Sequence, residues 1–127
     1  MNGSVIPETP GSAPARGREG RLEDLLRTME EIAPASLAED WDPVGLQVGR
    51  RQGPCRSVLV ALDATPEILG EAVRIRADLV LVHHPLVFSP LARLDLDRPY
   101  DALVSGFVRQ DVTVFAAHTN LDACPGG

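Results

Sequence analysis

From Leu22 onward the chain switches between two hydrophobic rhythms. Leu22, Leu25, Leu26, Met29, Ile32 and Ala33 recur every three or four residues, separated by Glu23, Asp24, Arg27, Glu30 and Glu31. That spacing places the apolar side chains on one stripe and predicts an amphipathic helix from about Arg21, which Pro34 stops. Ser57 to Asp63 (SVLVALD) is instead a short run rich in Val and Leu, as a strand buried on both faces would be. Thr65-Pro66-Glu67 then reads as a helix start: Thr65 caps, Pro66 suits the first turn, and Glu67 suits the positive end of the dipole. Ile68, Leu69, Ala72, Val73 and Ile75 carry this helix to about Arg76. Asp78 to Val82 (DLVLV) is the next strand. Pro99 opens a third helix through Leu103, Val104, Phe107 and Val108 to near Gln110, and Val112 to Ala117 (VTVFAA) is a further strand. Strands alternating with helices predict an α/β fold with a largely parallel or mixed sheet flanked by helices.

Two segments fall outside this alternation. Residues 1–20 are rich in Pro, Gly, Ser and Ala without periodicity, and predict a disordered tail ahead of a single α/β lobe over 21–127. Residues 40–49, DWDPVGLQVG, predict a turn followed by a short extended piece. Gly45 and Gly49 there serve turns in preference to a close approach of backbone to ligand. The segment lacks the GK[ST] of a phosphate-binding loop.

Composition narrows the class. Hydrophobic residues make up 44% of the chain and charged residues 24%, as in globular proteins, but aromatics are only 4%, so Leu, Val, Ile and Ala must fill the core. The net charge of −6 argues against binding nucleic acid or an anionic membrane through bulk charge. No apolar run approaches the roughly 18 residues of a membrane span, and no signal-peptide core is present. Cys55 and Cys124 form no CxxC pair, and a reducing cytoplasm suits them better than a disulfide framework.

The candidate chemistry lies where strands end. In open parallel sheets ligands bind beyond the carboxyl ends of the strands. The second strand of the α/β alternation runs into His83-His84-Pro85 and the third into His118-Thr119-Asn120-Leu121-Asp122, which together hold all three histidines of the chain. Neutral imidazole ligates Zn, Fe, Ni or Co, and a carboxylate can terminate or bridge a metal pair. Successive side chains of a strand alternate faces. His83 and His84 therefore either enter one cavity where the backbone turns or serve different ions. His118 and Asp122 share a side if their loop coils helically. Against this stand plainer readings: an incidental His-His pair, and an Asp122 that only caps a helix. Asp63 reaches the same edge. Asp95, Asp97 and Asp101 read as solvated loop or helix-start residues, and Cys124 as either a metal contact or a small buried side chain.

DWDPVGLQVG, VALDATPEILGEAV, DLVLVHHPLVF and VFAAHTNLDACPGG, in this order, resemble the N-terminal part of the NGG-interacting-factor-three-like family, whose members are labelled GTP cyclohydrolase 1 type 2 homologues. The resemblance covers about residues 21–127. Pro43 departs from it where many relatives have Asn, and Cys124 where Ala is common. The resemblance implies an α/β fold and a centre of two divalent metal ions (Zn, Fe, Co, Ni or Mn), with His83, His84, His118 and Asp122 as ligands. It also implies a further His and Glu late in a longer chain, which have no counterpart before Gly127, and assembly of the full-length protein into a homo-oligomer, a hexamer. The sequence is therefore expected to be a fragment carrying an incomplete site, inactive alone, in preference to a naturally short form completed by another chain. The expected function of the whole is a cytoplasmic metal-dependent hydrolase of a small molecule. The alternative is a metal carrier or regulatory protein without turnover. Arg50 and Arg51 are possible phosphate donors for such a substrate, though exposed surface arginines explain them as well.

Overall fold

Three four-residue strands, β3 (Val58–Ala61), β4 (Leu79–Val82) and β5 (Thr113–Ala116), form the centre of the molecule, a computed structural model that describes residues 20–127 and the two-residue strand β1 (Ser4–Val5). They run parallel and in register, with Val58 beside Leu79 and Leu79 beside Thr113. Helix α2 (Pro66–Arg74) connects β3 to β4, and α3 (Pro99–Arg109) connects β4 to β5. Strand β2 (Gly45–Val48) lies antiparallel on β5, and β1 lies antiparallel on β3, giving the order β1-β3-β4-β5-β2. The sheet is thus mixed. The expected tail contains β1, and residues 1–3 and 6–19 lie outside the described residues.

Side-chain alternation divides the core in two. Leu59, Val80, Val82, Val114 and Ala116 face Ile68 and Ala72 of α2 and Val104 and Phe107 of α3. Val58, Leu79 and Phe115 face the other way, onto Leu22 and Leu26 of helix α1 (Leu22–Ile32). Phe107 is fully buried, and such a side chain contributes about 1.5–3 kcal/mol relative to exposure. The Thr65 hydroxyl accepts from the Ile68 N–H at 3.1 Å, so the expected cap is formed.

Both crossover helices end within two residues of where their apolar rhythm places the boundary. Arg76 (φ 57°) and Asp111 (φ 54°) adopt the left-handed conformation without being glycine. The next amides, of Ala77 and Val112, close onto the carbonyls of Ala72 and Phe107 at 2.8 and 3.0 Å. This is the Schellman ending, in which a left-handed residue satisfies the last carbonyls of a helix. Gly49 answers the question left open by the glycines of the 40–49 segment. At φ +107° its missing Cβ would lie 2.7 Å from Thr113 Cα, so it lets the end of β2 approach β5. Among the described residues no helix is long and apolar enough to cross a membrane.

Candidate metal site

Parallel register brings the histidines together. The His83 and His84 amides both donate to the Leu62 carbonyl just beyond β3, at 3.2 and 2.9 Å, and the Ala117 amide donates to the Val82 carbonyl at 3.0 Å. The strand ends therefore lie side by side, and the three imidazoles leave the same edge. Ring centroids are 5.2 Å apart for His83 and His84, 4.9 Å for His83 and His118, and 5.6 Å for His84 and His118. One ring nitrogen from each lies within 4.8 Å of the other two. The turn after β4 has brought adjacent histidines to one place despite strand alternation.

Asp122, the fourth expected residue, lies outside the group of three histidines, on α4 (Thr119–Ala123), which begins immediately after His118. Its Oδ1 is 3.8 Å from His83 Nε2, and its side chain is 64% exposed. The helical coil required to place His118 and Asp122 on one side is therefore present. The intervening residues are structural. Buried Asn120 accepts from the His118 amide and donates to the Ala33 carbonyl, both at 2.8 Å, tying this segment to the end of α1. Cys124 is buried and its Sγ donates to the Leu121 carbonyl at 3.0 Å; among the described residues no cysteine joins the histidine cluster.

The Nδ1 atom of each histidine has an acceptor. His83 Nδ1 meets the Ala117 carbonyl at 2.8 Å, His84 Nδ1 meets Asp63 Oδ1 at 2.8 Å, and His118 Nδ1 meets Asp42 Oδ2 at 3.1 Å. A carbonyl or an ionised carboxylate can only accept, so the proton belongs on Nδ1 and the lone pair on Nε2. Metal-binding histidines characteristically show this arrangement, because it fixes both tautomer and ring direction. Ligand atoms at about 2.0–2.2 Å from an ion stand roughly 3–4 Å apart, so small ring rotations would let these nitrogens share one. The donor set thus fits a divalent metal, on the geometry of the rings and their partners.

Sequence reasoning missed Asp42. Its carboxylate also accepts from the Thr119 amide at 2.9 Å and the Thr119 hydroxyl at 2.5 Å. Burial pushes the Asp42 carboxyl up, but the Thr119 and His118 hydrogen bonds outweigh it and hold the group below the usual carboxylate range. No motif spacing reveals this residue, because it reaches His118 across 76 positions of sequence. Asp101 stands in the first turn of α3, as a helix-start residue; it is also buried and accepts from the Asp95 amide at 2.8 Å, so it organises the loop ahead of that helix. Arg50 follows β2 at the opposite edge and pairs with Asp111 at 2.6 Å, away from the histidines. Beside His83, an apolar groove of about 410 Å³ lined by Met29, Val60, Leu62, Leu81 and Leu121 runs along the α1 face.

A mixed α/β sheet with three histidines on the carboxyl edge of its parallel strands defines a candidate metal-binding lobe. Residues 21–127 match the Duf34/NIF3 (NGG1p interacting factor 3) family, and the chain belongs to it. It is 42% identical over 99 residues to the GTP cyclohydrolase 1 type 2 homolog of Listeria innocua, covering 78% of this chain and 26% of that protein. It is 37% identical to the homolog of the same name from Clostridium perfringens, covering 84% of this chain and 41% of that one. The fold superimposes on a Bacillus cereus protein related to NIF3 with a TM-score of 0.83 at 35% identity, over 87% of this chain and 30% of that chain. Reduced HcgD from Methanocaldococcus jannaschii matches with a TM-score of 0.74 at 26% identity, over 87% of this chain and 44% of that one. The chain therefore spans less than half the length of these relatives.

Proposed function

We propose that this chain is the metal-binding lobe of a dinuclear, metal-dependent hydrolase of the GTP cyclohydrolase 1 type 2 homologue kind, with His83, His84, His118 and Asp122 as its share of the ligands. The observation that carries the reading is the convergence of the three imidazoles with every Nδ1 engaged. Bound divalent ions would supply Lewis acidity and acidify a water molecule. The residues of this chain hold and aim the ligands, and the exposed Asp122 and His84 leave one side open to substrate or to further protein donors. Four protein donors are few for two ions, so the remainder come from elsewhere in the assembled protein. That assembly we take to be a cytoplasmic homo-oligomer, in keeping with the family relationship.

The test is metal content together with turnover. Protein loaded with Zn, Mn, Fe, Co or Ni is assayed against nucleoside triphosphates and phosphoesters, before and after chelation. Metal-stimulated hydrolysis, abolished by His118→Ala, is expected of the protein with its full ligand set. Metal binding that exchanges freely with no turnover would replace the hydrolase by a carrier. A protein that takes up no metal, or whose uptake ignores His118→Ala, would sink both. For the 127-residue chain alone, binding should be weak; tight uptake of two ions by a monomer would overturn the shared-site reading.

A further inference from the structure

We propose that Asp42 is the positioning residue of the histidine cluster: its buried carboxylate holds the proton of His118 on Nδ1 and directs the Nε2 lone pair at the metal. The inference rests on the metal-binding reading and adds Asp42, a residue of the DWDPVGLQVG segment, to the four expected ligands. The Asp42 side chain is completely withdrawn from solvent, although the neighbouring Trp41 is more than half exposed. Its Oδ2 receives three donors: His118 Nδ1, the Thr119 amide and the Thr119 hydroxyl. The hydroxyl oxygen in turn accepts from the Glu39 amide at 2.9 Å, so it accepts on one side and donates to Asp42 on the other. A directed chain thus runs from Glu39 through Thr119 to Asp42, and His118 closes it.

A mere tether would not need a carboxylate. Burying a charge is expensive unless it is paired and hydrogen-bonded, and the second oxygen of Asp42, Oδ1, is buried without a partner among the described residues. A neutral acceptor could hold Thr119 equally well. What the carboxylate adds is negative charge in a desolvated place directly behind an imidazole. That charge makes Nε2 a stronger donor to a cation. The other two histidines lack this: His83 is held by a neutral carbonyl, and His84 by Asp63, whose side chain is 53% exposed.

The experiment uses the protein with its full ligand set and two independent readouts. Ring nitrogen shifts in metal-free protein report which nitrogen of His118 carries the proton. Competition with a chromophoric chelator reports zinc affinity. The wild type should show the proton on Nδ1 of His118. Asp42→Asn keeps an acceptor and loses the charge, and should weaken zinc binding roughly 10- to 100-fold. Thr119→Val removes one donor from the same carboxylate but leaves its charge and its contact with His118, and should weaken zinc binding by less than about threefold. A His118 proton found on Nε2 overturns the proposal whether or not zinc binds. Equal losses in Asp42→Asn and Thr119→Val, or none in Asp42→Asn, reduce Asp42 to a structural residue. If the wild type takes up no zinc, the metal reading fails, and the ring shifts still decide whether Asp42 sets the tautomer. Circular dichroism on each variant verifies that it is folded. Should Asp42→Asn fail to fold, Asp42→Glu takes its place: it keeps the charge and displaces the oxygens, and is expected to weaken zinc binding at least as much as Thr119→Val. Full retention of affinity in Asp42→Glu would count against positioning.

Discussion

Two aspartate–histidine pairs flank the cluster with the same chemistry and opposite surroundings. Asp63 meets His84 at 2.8 Å with both side chains about half exposed, whereas Asp42 meets His118 at 3.1 Å with side-chain exposures of 0% and 20%. The shorter contact is the weaker constraint. In water-like surroundings water competes for a carboxylate–imidazole hydrogen bond and little is gained by it, while a carboxylate withdrawn from water is costly to leave without its donors. Distance alone would rank the pairs in the wrong order.

That contrast can be broken at several points. The largest effect is expected from Asp42→Ala, which strands the Thr119 amide, its hydroxyl and His118 Nδ1 in a buried place. Urea unfolding of metal-free protein should register a loss of about 3 kcal/mol; a loss under about 1 kcal/mol would mean that water replaces the carboxylate and the pair is not truly buried. His118→Ala comes next, and should lower zinc affinity more than tenfold or so by removing a ligand outright. An equal effect from every single histidine replacement would erase the difference between the two ends of the cluster. Asp63→Asn should be milder, less than about fivefold in zinc affinity, and the difference should shrink further in concentrated salt as screening grows. Salt-independence there would reveal a desolvated pair instead. Arg50→Ala, at the far edge of the sheet, removes an exposed pair with Asp111 and should change stability by no more than about 0.5 kcal/mol and zinc affinity not at all. Any loss of metal there would connect the two edges in a way that the fold does not.

The elements of the α/β alternation were legible because each announces itself locally. The stripe from Leu22 to Ile32, the cap at Thr65 with Pro66 behind it, and the Val- and Leu-rich runs of β3 and β4 all report within a few residues. Helix ends were legible to within two residues, although Arg76 and Asp111 take a conformation that glycine usually signals. The role of the 40–49 segment was obscure. Its Gln47 side chain donates to the Pro43 and Gly45 carbonyls and accepts from the Val87 amide, so its shape is set by contacts with the loop after β4. The histidines were legible as candidates because they stand at strand ends. The order in which those strands lie side by side is what turns three scattered rings into one cluster.

By itself, then, the sequence determined the strand and helix periodicities, the caps, and the presence of His83, His84, His118 and Asp122 where a sheet edge could gather them. These follow from near-neighbour physics: periodic burial, capping and the alternation of side chains along a strand. Tertiary structure alone decided that β2 runs antiparallel beside β5. An antiparallel strand begins at the edge where its parallel neighbours end, so the turn entering β2 carries Asp42 to His118. Whether a carboxylate is a solvated charge or a buried anchor depends on what covers it, and the covering groups here, Thr119 and His118, come from the far end of the chain.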